Sequence, residues 1–358
     1  MRAHGRKDNP ARKIPRMAEE ARHHHHIPQF YLRGFSMRVG NKKKWKIIAG
    51  NVHENRYFET TPRNIAGVRD FNRVEIDGID PDYVENGLAQ FEGMCTTAVQ
   101  KVALTLEFDG DDRISVLNLI SLLAVRSPPM RENMCDFRER VAHMQLGMVL
   151  HDKGRYERQF EKMAKWMESQ GETPPEFVDY EKMKEGHEKH AYKVEVATEA
   201  HLRAEFKMQD TVLRTLVDRK WMLRYINDGG MGCFVTSDLP VVLTWDDPEN
   251  MPVTMRQSPG HGMTHTEVLF PLTKQLCLVG SFEGPEGVQA ATAQFVAHAN
   301  LRVIEFCTDQ FYTPKRVFTY LGPRGDICQD GHFMDRWKRV QGDAAQTGVA
   351  TPTGKLPG

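Results

Sequence analysis

The sequence predicts an α+β fold: short N-terminal strands carrying a His/aromatic segment, a central bundle-like helical region, and a mostly antiparallel C-terminal sheet with one or two helices. Three observations carry this. Residues 22–75 hold short apolar runs divided by turn residues. Residues 80–218 repeat apolar positions every three or four residues, the helical period. Residues 219–321 return to short apolar runs between Gly, Pro, Asn and Asp. Strands, then helices, then strands, in blocks rather than in alternation, is the α+β order. One domain is expected over 22–341, between a flexible basic arm (1–21) and a flexible tail (342–358) that is small, polar and Pro/Gly-containing.

The N-terminal pieces "QFYLRGFS", "KWKIIAG" and "NRYFET" read as strands, with "VGNKKK" as the hairpin turn between the first two. "TPRNIAGVRDF" leads into the helices. Over 82–105, Val84, Leu88, Phe91, Cys95, Val99 and Val102 form an amphipathic stripe, started by Asp80-Pro81. "DDRISVLNLISLLAVRSPP" is apolar nearly all round and is therefore expected to be central, ending at Ser127-Pro128-Pro129. A helix over 130–151 and a charged one over 154–170 follow. "GETPPE" is a break. A long polar helix is expected over 179–217, its apolar face at Leu202, Phe206, Leu213 and Val217. "KWMLRYI", "GCFVTS", "PVVLTW", "EVLFPL" and "QLCLVGS" read as strands, "PEGVQAATAQFVAHAN" as a helix and "RVIEFCT" as a last strand.

Composition excludes several classes. Hydrophobic residues make up 40% and charged residues 27%, as in a soluble globular protein. The chain is formally neutral, yet residues 1–46 hold thirteen Lys and Arg against Asp8, Glu19 and Glu20. The arm is either a solvated leader or a contact for nucleic acid or another anionic partner. The six cysteines include no CxxC pair, which argues against a zinc ribbon or redox motif and suits reduced thiols. The N-terminus has no apolar signal core, and the longest apolar run, Ile114 to Val125, falls short of the ~20 residues of a membrane span, so a cytoplasmic protein off the membrane is expected. GxGxxG, GxSxG and HExxH are absent, and "GVATPTGKL" lacks the spacing of a phosphate loop. His187 and His190 in "HEKH" share a helix face without an evident third ligand and read as surface histidines.

The richest stretch is "HHHHIPQFYLRGF", residues 23–35. In an extended segment His24 and His26 point one way, His23 and His25 the other. Phe30, Tyr31, Leu32 and Phe35 anchor them. Imidazoles held in this way suit metal binding or proton transfer, and equally suit structural hydrogen bonds. Three further polar residues interrupt apolar stretches. Glu92 lies within the stripe of its helix, on nearly the same line as Glu85. Arg126 ends the most apolar helix and can complement its dipole, pair with Glu92 or bind an anion. Asp238, in "FVTSDLP", either caps a turn or points into a cleft.

"HHHHIPQFYLRGF", "PRNIAGVRDF", "LAVRSPPMR", "FVTSDLP" and "LFPLT" stand in this order over roughly residues 23–307. The set resembles the bacterial domain-of-unknown-function family 4238 (DUF4238). Its members begin with a His-His/Tyr-x-Pro-x-Phe-Tyr-Leu segment, carry Arg-Thr/Ser-Pro after a central apolar helix, and carry Ser-Asp-x-Pro in the C-terminal half. The resemblance puts the motif positions on His24, His25, Pro28, Tyr31, Leu32, Asn64, Arg126, Ser237, Asp238 and Pro240. It implies a bacterial protein of that fold and no particular activity.

Two functions fit, and the residues alone do not decide whether the protein is an enzyme. One is a non-catalytic binding or interaction protein with a structural polar network. The other is a hydrolase of a phosphodiester or other anionic substrate, with His24, His25, Glu92, Arg126 and Asp238 as the catalytic set. No cofactor signature is present. A divalent metal would fall to His24, His26 and Asp238.

Overall fold

The computed structural model describes residues 23–40, 44–74, 76, 78, 80–192, 196–248, 250–252 and 259–338. The predicted arm (1–21) and tail (342–358) lie outside the described residues. The fold is α+β, with helices and antiparallel sheets in separate blocks.

The histidine run forms β1 (His23–His25), paired antiparallel with β5 (Gly67–Arg69). Gln29–Arg33 is a short helix, α1, and not the strand expected of "QFYLRGFS". The physical reason is Pro28: its φ of −56° leads into a helical turn, and an apolar piece this short has no decisive period of its own. The turn brings Tyr31, Leu32 and Phe35 together into the core.

A hairpin does precede "KWKIIAG", but its first strand is β2 (Met37–Val39), not "QFYLRGFS"; β2 pairs with β3 (Lys44–Asn51), with Arg38 opposite Trp45. β4 (Arg56–Thr60) pairs with β3. β3 also pairs with β12 (Gln310–Thr313), and β12 pairs with β7 (Thr236–Ser237), so strands from the two ends of the chain share one sheet. Gly50 sits at this joint; a Cβ there would lie 2.4 Å from the Phe311 ring.

The helices are α2 (Tyr83–Thr105), α3 (Gly110–Val125), α4 (Pro128–Val149), α5 (Lys153–Ser169), α6 (Tyr180–Glu188) and α7 (Thr198–Val217). As its all-round apolarity predicts, α3 is central: Val116, Leu117, Leu119 and Ile120 are fully enclosed, and α2 and α7 flank it. Ser127 stops α3 and starts α4, its side chain accepting a hydrogen bond from the Met130 N–H. The single helix expected over 179–217 is two, because His190 turns left-handed (φ +49°) and closes α6. The expected face of α7 is also rotated. Phe206 and Val217 are exposed, while His201, Leu202, Glu205, Val212 and Leu216 are buried.

The C-terminal sheet has the order β11-β6-β10-β9-β8: β11 (Gly287–Ala290), β6 (Lys220–Tyr225), β10 (Leu276–Ser281), β9 (Thr266–Thr273) and β8 (Val242–Trp245). It is antiparallel except for β11 on β6. Two expectations fail here. "PEGVQAATAQFVAHAN" begins with strand β11 before helix α8 (Ala293–Glu305), which Thr292 caps. "RVIEF" continues α8 instead of forming a strand, because Phe295, Ala299, Val303 and Ile304 keep the helical period and all are buried. Beyond it lie β13 (Phe318–Leu321), β14 (Ile327–Asp330) and a helical segment at 333–338, so strand structure extends past the expected limit of 321. No helix among the described residues is long and apolar enough to cross a membrane.

Candidate functional site

The alternation of β1 sorts its histidines. His24 and His26 are buried, and His25 is half-buried at the edge of a cleft. His24 Nδ1 accepts the backbone N–H of Asn72 at 2.9 Å, and its Nε2 lies 3.9 Å from Asp82. His25 Nε2 is 3.0 Å from the Arg63 carbonyl. His26 donates its backbone N–H to Ala66, and its ring sits tilted against Phe71. Burial, with Arg126, His25 and Arg131 nearby, pushes the His26 imidazole down to about 3, so it is neutral at physiological pH.

Behind the histidines is a buried ionic network. Arg126, only 2% exposed, donates Nη2 to the His25 carbonyl at 3.0 Å. Its Nε and Nη1 have no hydrogen-bond partner among the described residues. Burial pulls its pKa down, and the field of Glu85, Glu205 and Glu92 acts against that. Arg131 makes a two-pronged contact with Glu205, donates to the Phe71 carbonyl, and stacks over the Phe71 ring. Asn72, fully enclosed, ties the parts together: its Nδ2 donates to Glu85 at 2.7 Å, and its Oδ1 accepts from Arg131 at 3.4 Å.

The cleft in front has a volume of about 350 Å³ and is lined by His25, Gln29, Arg33, Glu85, Glu92 and Thr96, among others. Burial, reinforced by Glu85 and opposed by Arg126, raises the Glu92 carboxyl to about 7. His24, His25, His26, Glu92 and Arg126 therefore belong to one region, as their residue types suggest.

The model of a family described as protein of unknown function (DUF4238) matches residues 23–316, from the first histidine of β1 to just past β12. This chain belongs to the DUF4238 family. No curated protein and no solved structure matches it.

The other positions named by the resemblance lie away from the histidines or outside the cleft. Asp238 does not join the histidines: its carboxylate accepts the backbone N–H groups of Thr308, Asp309 and Gln310 at 2.7–2.9 Å, clamping the entry to β12. Burial raises its pKa, and those three N–H groups act to lower it. The expected metal set of His24, His26 and Asp238 is accordingly not assembled, and no group of three or more His, Cys, Asp or Glu among the described residues is placed to hold a metal ion. Ser237 Oγ holds the turn by accepting from the Leu239 N–H, and Pro240 is buried. Tyr31 reaches the same region from α1, its hydroxyl donating to the Pro271 carbonyl at 2.6 Å and lying 2.8 Å from Thr236 Oγ1. Pro28 and Leu32 position that helix. Asn64 is exposed in a 3₁₀ turn, Pro62–Asn64.

Sequence reasoning missed Asn72, Arg131 and Glu205. Arg131 stands within the quoted "LAVRSPPMR". Glu205 was hidden because hydrophobic periodicity selects the stripe without a charge, and Asn72 had no signal. A third histidine was missed as well. His143 on α4 stacks between His187 and His190, with ring centroids 3.9 and 4.2 Å away, and the Tyr192 hydroxyl bridges His143 and His187.

Proposed function

We propose that this DUF4238 protein is a non-catalytic binding or interaction protein in which the histidine segment is a structural lock. The observation that supports this reading most is how the polar groups at and around the motif positions are used. Asp238 is occupied by three backbone amides, the His24 Nδ1 by the Asn72 amide, and Arg131 by Glu205. Groups held in this way stabilise a fold, since buried polar atoms need partners before they serve chemistry. Arg126 is shut away from water, which weakens the case for an anionic substrate at this point. Beside these groups, the surface open to a ligand is the cleft of His25, Gln29, Arg33, Glu85 and Glu92, whose two carboxylates suit a partner that supplies N–H donors or a cation. Under this reading, Asp238→Asn and His24→Ala each lower unfolding stability by about 1–3 kcal/mol: His24→Ala leaves the enclosed Asn72 N–H without its acceptor, and Asp238→Asn replaces one of the two carboxylate oxygens that clamp residues 308–310 with a donor. Thermal and urea unfolding of the two variants is the test. Parent-like stability in both sinks the lock.

A second reading, the hydrolase, keeps one specific support. Glu92 is held near neutrality at the cleft that His25 also lines, which suits an acid–base pair at physiological pH. The sign of the pH effect follows from linkage. The unfolded chain ionises Glu92 near its ordinary value of 4.5, while the folded chain holds the proton up to about 7. The folded state binds more protons in that window, so stability falls as the pH rises through it and levels off above. Glu92→Gln removes this part of the decline, making the variant more stable than the parent at pH 8 relative to their difference at pH 4. Identical stability–pH curves for parent and variant mean an ordinary carboxylate, and the acid–base reading then goes.

A further inference from the structure

A second pocket, of about 340 Å³, lies on the face of the C-terminal sheet covered by α8, away from the histidine segment. Strand parity builds its floor. Met222 and Arg224 alternate along β6, and Val279 and Ser281 along β10, with Val279 paired to Met222. Arg224 is 5% exposed and lines this pocket, with its guanidinium over the Phe295 ring of α8. Its Nε and Nη1 have no hydrogen-bond partner among the described residues. An arginine enclosed with unused donors is costly to keep unless something completes it.

The opposite end of the pocket is acidic. Glu267 of β9 pairs with Ser281, four residues along β10 from the Cys277 that faces Arg224. At about 3.3 Å per residue the two ends are offset by roughly 13 Å along the strands, and the long side chains shorten that span enough for the Glu267 charge to act on Arg224. Asp246 and Glu283 stand at the same end, on either side of His265 at 3.8 and 3.9 Å. Between the ends Met222 and Val279 give an apolar stretch, with Phe295 beside Arg224 and Phe282 just past Ser281 at the acidic end. Glu267 already lies 3.9 Å from Arg302, so the acidic end holds one charge committed to the protein and two at the rim.

We propose that this pocket binds an elongated zwitterion, a molecule with a carboxylate at one end, an ammonium at the other and an apolar middle. The carboxylate completes Arg224, the ammonium meets Asp246 and Glu283 beside Glu267, and the methylenes lie along Met222, Val279 and Phe295. A simple anion would leave the acidic end repelling it, and a simple amine would leave Arg224 uncompleted.

The probe is 6-aminohexanoate, with hexanoate and hexylamine as single-ended controls, titrated into the full chain by calorimetry and followed by thermal shift. The expected result is binding of 6-aminohexanoate with a melting-temperature rise on the order of 3 °C at saturation. Hexanoate and hexylamine should each bind about tenfold more weakly or worse, the loss of one charge-assisted contact. Arg224→Met should reduce 6-aminohexanoate to the affinity of hexylamine, and Glu283→Gln, at an exposed rim position, should weaken it while leaving hexanoate unchanged. No binding of 6-aminohexanoate to the parent overturns the proposal. So does hexanoate binding equally well, which makes the pocket an anion site, or hexylamine binding equally well, which makes it an acidic patch. The comparison of the three probes on the parent chain decides the matter even if Arg224→Met does not fold.

Discussion

Tyr31→Ala destabilises the protein by about 3–5 kcal/mol, the range for removing an enclosed aromatic ring. Tyr31 is 1% exposed, stacks on Phe270 with centroids 5.3 Å apart and touches Phe35 at 5.2 Å. Its hydroxyl reaches Pro271 and Thr236, so one side chain of a five-residue helix joins α1 to β9 and β7. Tyr31→Phe separates the two contributions. It keeps the ring and leaves the Pro271 carbonyl without its donor, at a cost of about 1–2 kcal/mol. Denaturant unfolding of both variants measures the difference. A Tyr31→Ala protein as stable as the parent would mean that the segment after the histidines lies outside the core.

Glu205→Ala is expected to cost a similar amount, about 3–5 kcal/mol, because it removes the counter-charge of a largely enclosed guanidinium that keeps only neutral partners. The Glu205 side chain is 3% exposed and that of Arg131 11%, and their two-pronged contact ties α7 to α4 beside the Phe71 ring. Replacing both partners at once, Glu205→Leu with Arg131→Met, should recover most of the loss, since two apolar groups of similar size leave no uncompensated charge. Circular-dichroism melts of the single and double variants form the cycle. A double variant no more stable than Glu205→Ala would contradict a direct pair. The same cycle reports on the histidine segment, because Arg131 also holds Asn72, which in turn donates to the ring of His24.

Much of the candidate site was readable in advance because it follows from local rules. The alternation of β1 separated His24 and His26 from His25. The helical period placed Glu92 on the same side of α2 as Glu85, and both line the cleft. Arg126 stood out as the charge at the end of the most apolar helix. Asp238 was the opposite case. A Ser-Asp-x-Pro segment is compatible with a cap or a catalytic acid, and only the approach of residues 308–310 from a distant part of the chain makes it a cap.

The sequence by itself determined the α+β class, the family, the central position of α3 and the cluster of polar residues at the N-terminal segment, because hydrophobic period and ordered motifs are local properties of the chain. The tertiary structure alone decided which face of α7 is inside, that β3 pairs with β12, and that Arg131, Glu205 and Asn72 form one network. The physical reason is the same in each case. A buried charge is stable only opposite its partner, and a strand edge only beside its neighbour. In this protein those partners lie dozens to hundreds of residues away, where no local pattern records them.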